Sequence, residues 1–227
     1  MSTECTPALP QSGIFAVYKP VGPTSHDVVD LIRRLTGERC VGHAGTLDPL
    51  ARGVLVVGVG RAATKQLHAV TAAEKEYVAA IRFGSRSVTD DAEGPLTSVP
   101  VVTVPTEAQI RSELARFVGT IDQVPPSYSA VKVGGTAAYR RARSGAPVPL
   151  EPRRVTVYAA ALVSYRWPDC TLRLTVGAGT YIRSIARDLG QALGTGGYVV
   201  DLERIRVGHF IADQAVHLPP LTVSRRQ

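Results

Sequence analysis

Aromatic side chains are scarce in this chain. Phe, Trp and Tyr make up 6% of 227 residues, so each tyrosine invites a reason for its place. Cysteine is scarcer still: Cys5, Cys40 and Cys170 are odd in number and far apart. With no CxxC and no Cys/His cluster, neither a disulfide framework nor a zinc site is signalled, which fits a reducing cytosol. No apolar run reaches the roughly 20 residues of a membrane helix. The opening MSTECTPALPQSG has no charged-then-apolar secretion pattern. A soluble, cytoplasmic protein without a membrane partner is expected. Acidic residues are also short, with Asp plus Glu 19 against Lys plus Arg 26, a formal charge of +7 and a pI near 9.6. That excess suits a polyanionic partner, because Lys and Arg contacts to phosphate drive nucleic-acid affinity; a merely basic soluble protein is the plain alternative.

What is present suffices for one globular domain, since 44% of the residues are hydrophobic. Residues 1–12 read as a flexible leader, 13–217 as the folded domain and 218–227 as a short basic tail. Ile14 to Tyr18 reads as a strand stopped by Lys19-Pro20 and Gly22-Pro23. A helix is expected after Thr24-Ser25, with Val28, Leu31, Ile32 and Leu35 at helical spacing and Gly37 ending it. Val54 to Val59 is the continuous apolar run of a buried strand. Tyr77, Ala79, Ile81 and Phe83 alternate as in a further strand. Residues 94–105 read as a connection. Thr106 and Gln109 form a capping box ahead of Ile110, Leu114 and Phe117. Strands are expected at Val155 to Val163 and Thr171 to Val176. A last helix begins near Thr180, with Ile182, Ile185, Leu189 and Leu193 inward. Elements mix without a regular βαβ rhythm, which argues an α+β fold around a mixed, mainly antiparallel sheet flanked by helices.

The densest unusual stretch is GHAGTLDPLARG, from Gly42 to Gly53. Glycines there permit sharp turns or close approach to a ligand, and a carboxylate on a loop ahead of a rigid strand is well placed for catalysis. The plain reading of Asp48-Pro49 is a helix start, Asp as N-cap and Pro at the first helical position. His43 taken alone is an ordinary loop histidine. Cap and catalyst are compatible readings of Asp48.

This stretch resembles the signature of the TruB family of tRNA pseudouridine-55 synthases, GHxGxLDPxAxG, and meets every fixed position. Four further blocks resemble the family in order: GIFAVYKP from Gly13, Lys75-Glu76-Tyr77, PSYSAVK from Pro126 to Lys132, and GTYIR from Gly179 to Arg183. The resemblance runs from about residue 13 to about residue 216. It implies the pseudouridine synthase fold, with an RNA-gripping insertion at about 124–152.

It also implies the activity. One uridine of the tRNA T-arm stem-loop is isomerised: uracil leaves C1′ of its ribose, rotates and rejoins through C5. That reaction needs no redox step and no group donor, hence no cofactor and no metal. Asp48 is implied as the catalytic carboxylate. Tyr77 is implied to stack on the target base and to offer its hydroxyl as a general base; without the family it is a packed strand tyrosine. Arg183 is implied to pair with Asp48. Helical spacing sets Arg183 off the apolar stripe of its helix, and a solvated first-turn arginine is its plain reading. Tyr181 and Leu202 are implied to line the base pocket, His43 to fill the place of the flipped nucleotide, and Lys19 with Pro20 to form a supporting wall. Extruding the base costs a few kcal/mol, which backbone contacts must offset. Candidates are Arg33, Arg34, Arg153, Arg154 and above all Lys132 to Arg143 (KVGGTAAYRRAR), with Lys132, Tyr139, Arg140, Arg141 and Arg143. A monomer is expected.

Two departures stand out. The family's late L-R-R block reads Leu202-Glu203-Arg204, where Glu203 either weakens a phosphate contact or makes a local salt bridge. The chain also stops soon after Leu221, whereas bacterial members usually continue into a small RNA-binding β domain of the PUA type, for which this length leaves no room. A dinucleotide site is imitated by Gly58-Val-Gly60-Arg-Ala-Ala63, but the acid required at the end of the next strand is missing. A non-catalytic RNA-binding protein, or an RNA-guided or other-RNA pseudouridine synthase, shares part of the pattern.

Overall fold

Short apolar runs punctuated by Gly and Pro give a long series of short elements. A computed structural model describes residues 9–146 and 148–220; most of the expected leader and tail lie outside these. In chain order the elements are β1 (Gly13–Lys19), α1 (Ser25–Thr36), β2 (Val41–Ala44), β3 (Arg52–Val59), α2 (Arg61–Ala72), β4 (Lys75–Phe83), β5 (Ser85–Ser87) and β6 (Leu96–Ser98). Then come α3 (Glu107–Ala115), β7 (Gly119–Gln123), β8 (Lys132–Val133), β9 (Thr136–Ala137), α4 (Ala138–Arg143), β10 (Arg153–Arg166) and β11 (Asp169–Val176). Last are α5 (Ile182–Ala192), β12 (Gly197–Val207), β13 (Phe210–Ile211), a 3-10 turn and β14 (Val216–His217). The chain forms two compact units. One holds residues up to Tyr77 and from Leu202 onward, the other Val78–Asp201.

In the first unit the strand order is β14-β1-β3-β12, with β2 also on β3 and β13 on β12. β1 and β2 lie antiparallel to β3, while β14 runs parallel to β1 and β12 parallel to β3. Val54 and Val56 pack with Ala16, Ala44, Leu67 and Val207 in one apolar cluster. Leu55, Val57 and Val59 of β3 are buried as well, as a continuous apolar run requires. The start of α1 follows the sequence signals closely. Thr24 accepts from Asp27 N–H, the Asp27 carboxylate returns to Thr24 N–H, and Gly37 closes the helix in the left-handed region. Leu35 departs from expectation and is exposed. The imitated dinucleotide motif does fall on a strand-to-helix junction, β3 to α2. Its glycine serves packing instead: a Cβ at Gly58 would lie 3.2 Å from Leu67 and from the Ala63 backbone.

In the second unit the order is β12-β4-β11-β10-β7, with β10 antiparallel to both β11 and β7. β4 buries Ala79, Ile81 and Phe83 in strict alternation. α3 begins at the expected Thr106–Gln109 capping box and packs on β10 and α5. β10 is longer than its apolar core suggested and carries two register irregularities against β11. The supposed connection at 94–105 contains β6, paired with β5. Between β7 and β10, residues 124–152 hold the β8–β9 hairpin and α4. Among the described residues no helix is long and apolar enough to cross a membrane.

Candidate active site

Asp48 does not start a helix. The residues after it make a single turn, closed by Ala51 N–H donating to Asp48 O at 3.0 Å, and the chain enters β3 at Arg52. Proline at the second position of a turn meets the same backbone demand as proline at a helix start, so the helix expectation is corrected to a turn. Three buried side chains fix this loop from within the first unit. Ser25 Oγ accepts from Leu47 N–H at 2.9 Å and donates to Leu47 O at 3.1 Å. Lys19, 0% exposed, donates Nζ to Pro20 O and Pro23 O at 2.8 Å each and lies 3.5 Å from Pro49 O. Arg204, 1% exposed, reaches the carbonyls of Gly45, Thr46 and Val54. Glycine is required at both stems. Gly45 has φ +82°, and at Gly53 (φ +106°) a Cβ would lie 2.2 Å from Arg204 O.

His43 lies on β2 opposite Val57, edge-on to His26 with ring centroids 5.5 Å apart. Its buried Nδ1 has no hydrogen-bond partner. Burial, then the His26 and Arg204 charges, lower its pKa to about 4, so the ring is neutral near pH 7. Tyr77 is 9% exposed on β4, and Leu202 is buried on β12. Lys75, two residues before Tyr77 and on the same face, is buried too. Burial, then the Arg204 charge, lower its pKa to about 8, and its Nζ donates to Thr71 O and Ala73 O at the C-terminal end of α2. The structure thus places Lys19 at the end of β1 against the Asp48 turn and His43 on β2 just before it, with Tyr77 and Leu202 on the neighbouring strands β4 and β12 of the same unit.

Tyr181 and Arg183 belong to the second unit, at the start of α5. Tyr181 is anchored through its backbone by the buried Gln123 side chain, which accepts from Tyr181 N–H at 2.8 Å and donates to Tyr181 O at 3.1 Å. Arg183 is not the solvated arginine of the plain reading. It is 4% exposed and donates to Thr89 O and Tyr128 O at 2.9 Å each, and its Nη1 lies 3.3 Å from the Asp91 carboxylate. Asp91 was not anticipated. It is held by the Thr89 hydroxyl and Glu93 N–H, in a loop without periodicity to betray it.

The insertion divides its basic residues by depth. Lys132, Arg140 and Arg143 are exposed, and both arginines lie over the Tyr139 ring, at 6.0 and 5.7 Å. Arg141 instead turns inward and donates to Val133 O at 3.3 Å. Arg33 is likewise engaged, with Asp30 and with Val41 O, while Arg34, Arg153 and Arg154 are exposed.

Residues 33–182 match the model of the TruB family pseudouridylate synthase (N terminal domain), and residues 183–224 that of the tRNA pseudouridylate synthase B C-terminal domain. The chain belongs to the TruB family. It is 49% identical over 217 residues to the tRNA pseudouridine synthase B of Thermobifida fusca, covering 92% of this chain and 74% of that one. To that of Mycobacterium tuberculosis it is 51% identical over 214 residues, covering 92% and 71%. Among solved structures it resembles a chain of a Cbf5-Nop10-Gar1 complex, with a TM-score of 0.72 and 33% identity over 92% of this chain and 53% of that one. A second is an H/ACA RNP bound to a substrate RNA containing 2′-deoxyuridine, with a TM-score of 0.67 and 29% identity over 94% of this chain and 58% of that one. The chain spans between half and three fifths of the length of these two. Its pseudouridine synthase fold is the α+β arrangement expected from the element pattern. Where the TruB pattern has a basic residue, Glu203 makes a salt bridge: it accepts from Tyr18 OH at 2.9 Å and lies 3.1 Å from Arg52.

Proposed function

We propose that this TruB-family chain isomerises a uridine in the T-loop of tRNA, position 55, to pseudouridine, acting alone in the cytoplasm as a monomer. The observation that carries the reading is the Asp48 turn, held on both sides by buried donors within an intact family signature. In the reaction the N1–C1′ bond breaks, a C5–C1′ bond forms, C5 loses its proton and N1 gains one. Asp48 supplies the carboxylate at the reacting centre. Tyr77 stacks on the base and offers a hydroxyl for proton transfer from C5. Arg183 pairs with Asp48 and keeps it ionised and aimed. Tyr181 and Leu202 wall the base pocket, His43 fills the gap left by the extruded nucleotide, and Lys19 supports the loop. Lys132, Tyr139, Arg140 and Arg143 grip the T-arm, reading shape and backbone; Arg141 serves that grip indirectly, by bracing the hairpin.

Relatives at about half identity act on tRNA by name, which supports a stand-alone enzyme over a guided one. The test is tritium release from a T-arm stem-loop labelled at C5 of uridine, with no guide RNA present. Release is expected. No release despite RNA binding would contradict the proposal and favour a binding protein or a guided synthase. Tyr77→Phe is expected to slow release far more than it weakens RNA binding; equal rates would leave the ring a stacking role alone.

A further inference from the structure

Among the described residues Arg204 is the largest fully buried side chain. It sits on β12 two residues after Leu202, and the period of a strand puts both side chains on one face. Its hydrogen bonds run to backbone carbonyls alone: Nε to Val54 O at 2.7 Å, Nη2 to Gly45 O at 3.0 Å and Nη1 to Thr46 O at 3.5 Å. Among the described residues no carboxylate pairs with it. A guanidinium buried without an acid is costly, so a position that keeps one calls for a reason beyond packing.

The three carbonyls supply it. Gly45 and Thr46 precede Asp48, and Val54 follows the turn and begins the buried run of β3. One rigid fork therefore spans both stems of the loop. A lysine, a point charge on a flexible stem, lacks the planar fork that sets the directions to these three acceptors at once. The backbone is shaped to bring the two together, for Gly53 lets the β12 backbone at Arg204 close on β3, and Gly45 takes the φ of +82° that turns its carbonyl segment beside the guanidinium.

We propose that Arg204 is a positioning residue for the isomerisation, its guanidinium tying the two stems of the Asp48 loop so that the carboxylate keeps one direction as RNA binds. The inference rests on Asp48 being the catalytic carboxylate. A second consequence follows from the same charge. His43 and Lys75, both buried, are held toward their neutral forms by burial first and by Arg204 among the neighbouring cations. The residue thus adds, after burial, to what keeps these two side chains neutral.

The test compares the parent, Arg204→Lys, Arg204→Met and Asp48→Asn in single-turnover tritium release at saturating protein, with RNA affinity measured alongside. Both Arg204 variants are expected to bind RNA within about threefold of the parent. They release tritium to full amplitude but slowly, by about 100-fold for Met and less for Lys, the scale of a small misplacement of a catalytic group. A residue that only supports folding would lower the amplitude, the fraction of active protein, and leave the rate of that fraction unchanged. Parent-like rates at any amplitude would overturn the inference. Arg204→Lys keeps the charge and a donor, so it decides the matter should the Met variant not fold. If Asp48→Asn itself keeps the parent rate, the carboxylate reading fails, and the positioning role fails with it.

Discussion

Between Gly45 and Val54, five backbone carbonyls face buried side chains: those of Gly45, Thr46 and Val54 meet Arg204, that of Leu47 meets Ser25, and that of Pro49 meets Lys19. Between Lys132 and Arg143 the arrangement is nearly the reverse. Tyr139, Arg140 and Arg143 meet one another at the surface, and one side chain, Arg141, reaches inward to a carbonyl. Two-residue strands and a six-residue helix carry that segment. Buried, fully directed donors hold a group where reaction geometry demands it. Exposed cations around a ring leave a surface that adapts to an RNA backbone and binds through charge. Under the proposed function, chemistry and grip are thus built from different materials in one chain.

The largest effect is expected at a buried charge outside both segments. Arg183→Met leaves the Asp91 carboxylate, 2% exposed, without its guanidinium. Urea unfolding is expected to show a loss of about 3–5 kcal/mol, together with loss of turnover. A loss below about 1 kcal/mol would mean that the Thr89 and Glu93 bonds alone satisfy Asp91.

Smaller, and specific to the loop, is a pH effect. The folded His43 pKa of about 4 lies below its ordinary 6.5. Between those values the unfolded chain binds more protons, so stability is complete above 6.5 and falls as pH drops toward 4. The expected cost is on the order of 2 kcal/mol after allowance for solvent screening. His43→Gln should flatten that part of the unfolding free energy against pH; an unchanged slope would assign it to other groups.

The mildest effect on the fold is expected in the insertion. Arg140→Ala combined with Arg143→Ala should leave the melting temperature unchanged. It should weaken stem-loop RNA binding by about tenfold and reduce the salt slope by roughly two. Unaltered affinity would remove this surface from the RNA interface.

Much of this was legible in the sequence, and the reasons differ by element. α1 and α3 could be bounded because Thr24–Asp27 and Thr106–Gln109 are complete capping signals, and β3 because a glycine-bounded apolar run admits little else. β12 was missed. Its Asp, Glu and Arg residues interrupt the apolar pattern, and the buried Arg204 breaks the rule that charge marks the surface. α2 was missed because Ala, Thr, Lys and His give it a thin apolar face, with Ala63 and Leu67 buried. The Asp48-Pro49 turn reads as a helix start because proline meets the same φ demand at the first helical position and at the second position of a turn. The candidate site residues were found through the family signature. Their supports, Ser25, Asp91, Gln123 and Arg204, lie far from it in sequence, and only folding brings each to its partner.

The most direct measurement is the rate of tritium release by Asp48→Asn beside its affinity for the same stem-loop RNA. The substitution keeps shape and the turn while removing the charge. Unchanged melting and RNA affinity are expected, with turnover lower by at least about 1,000-fold, a barrier increase of roughly 4 kcal/mol. Release within about tenfold of the parent would show that the carboxylate is not what this loop is built to hold.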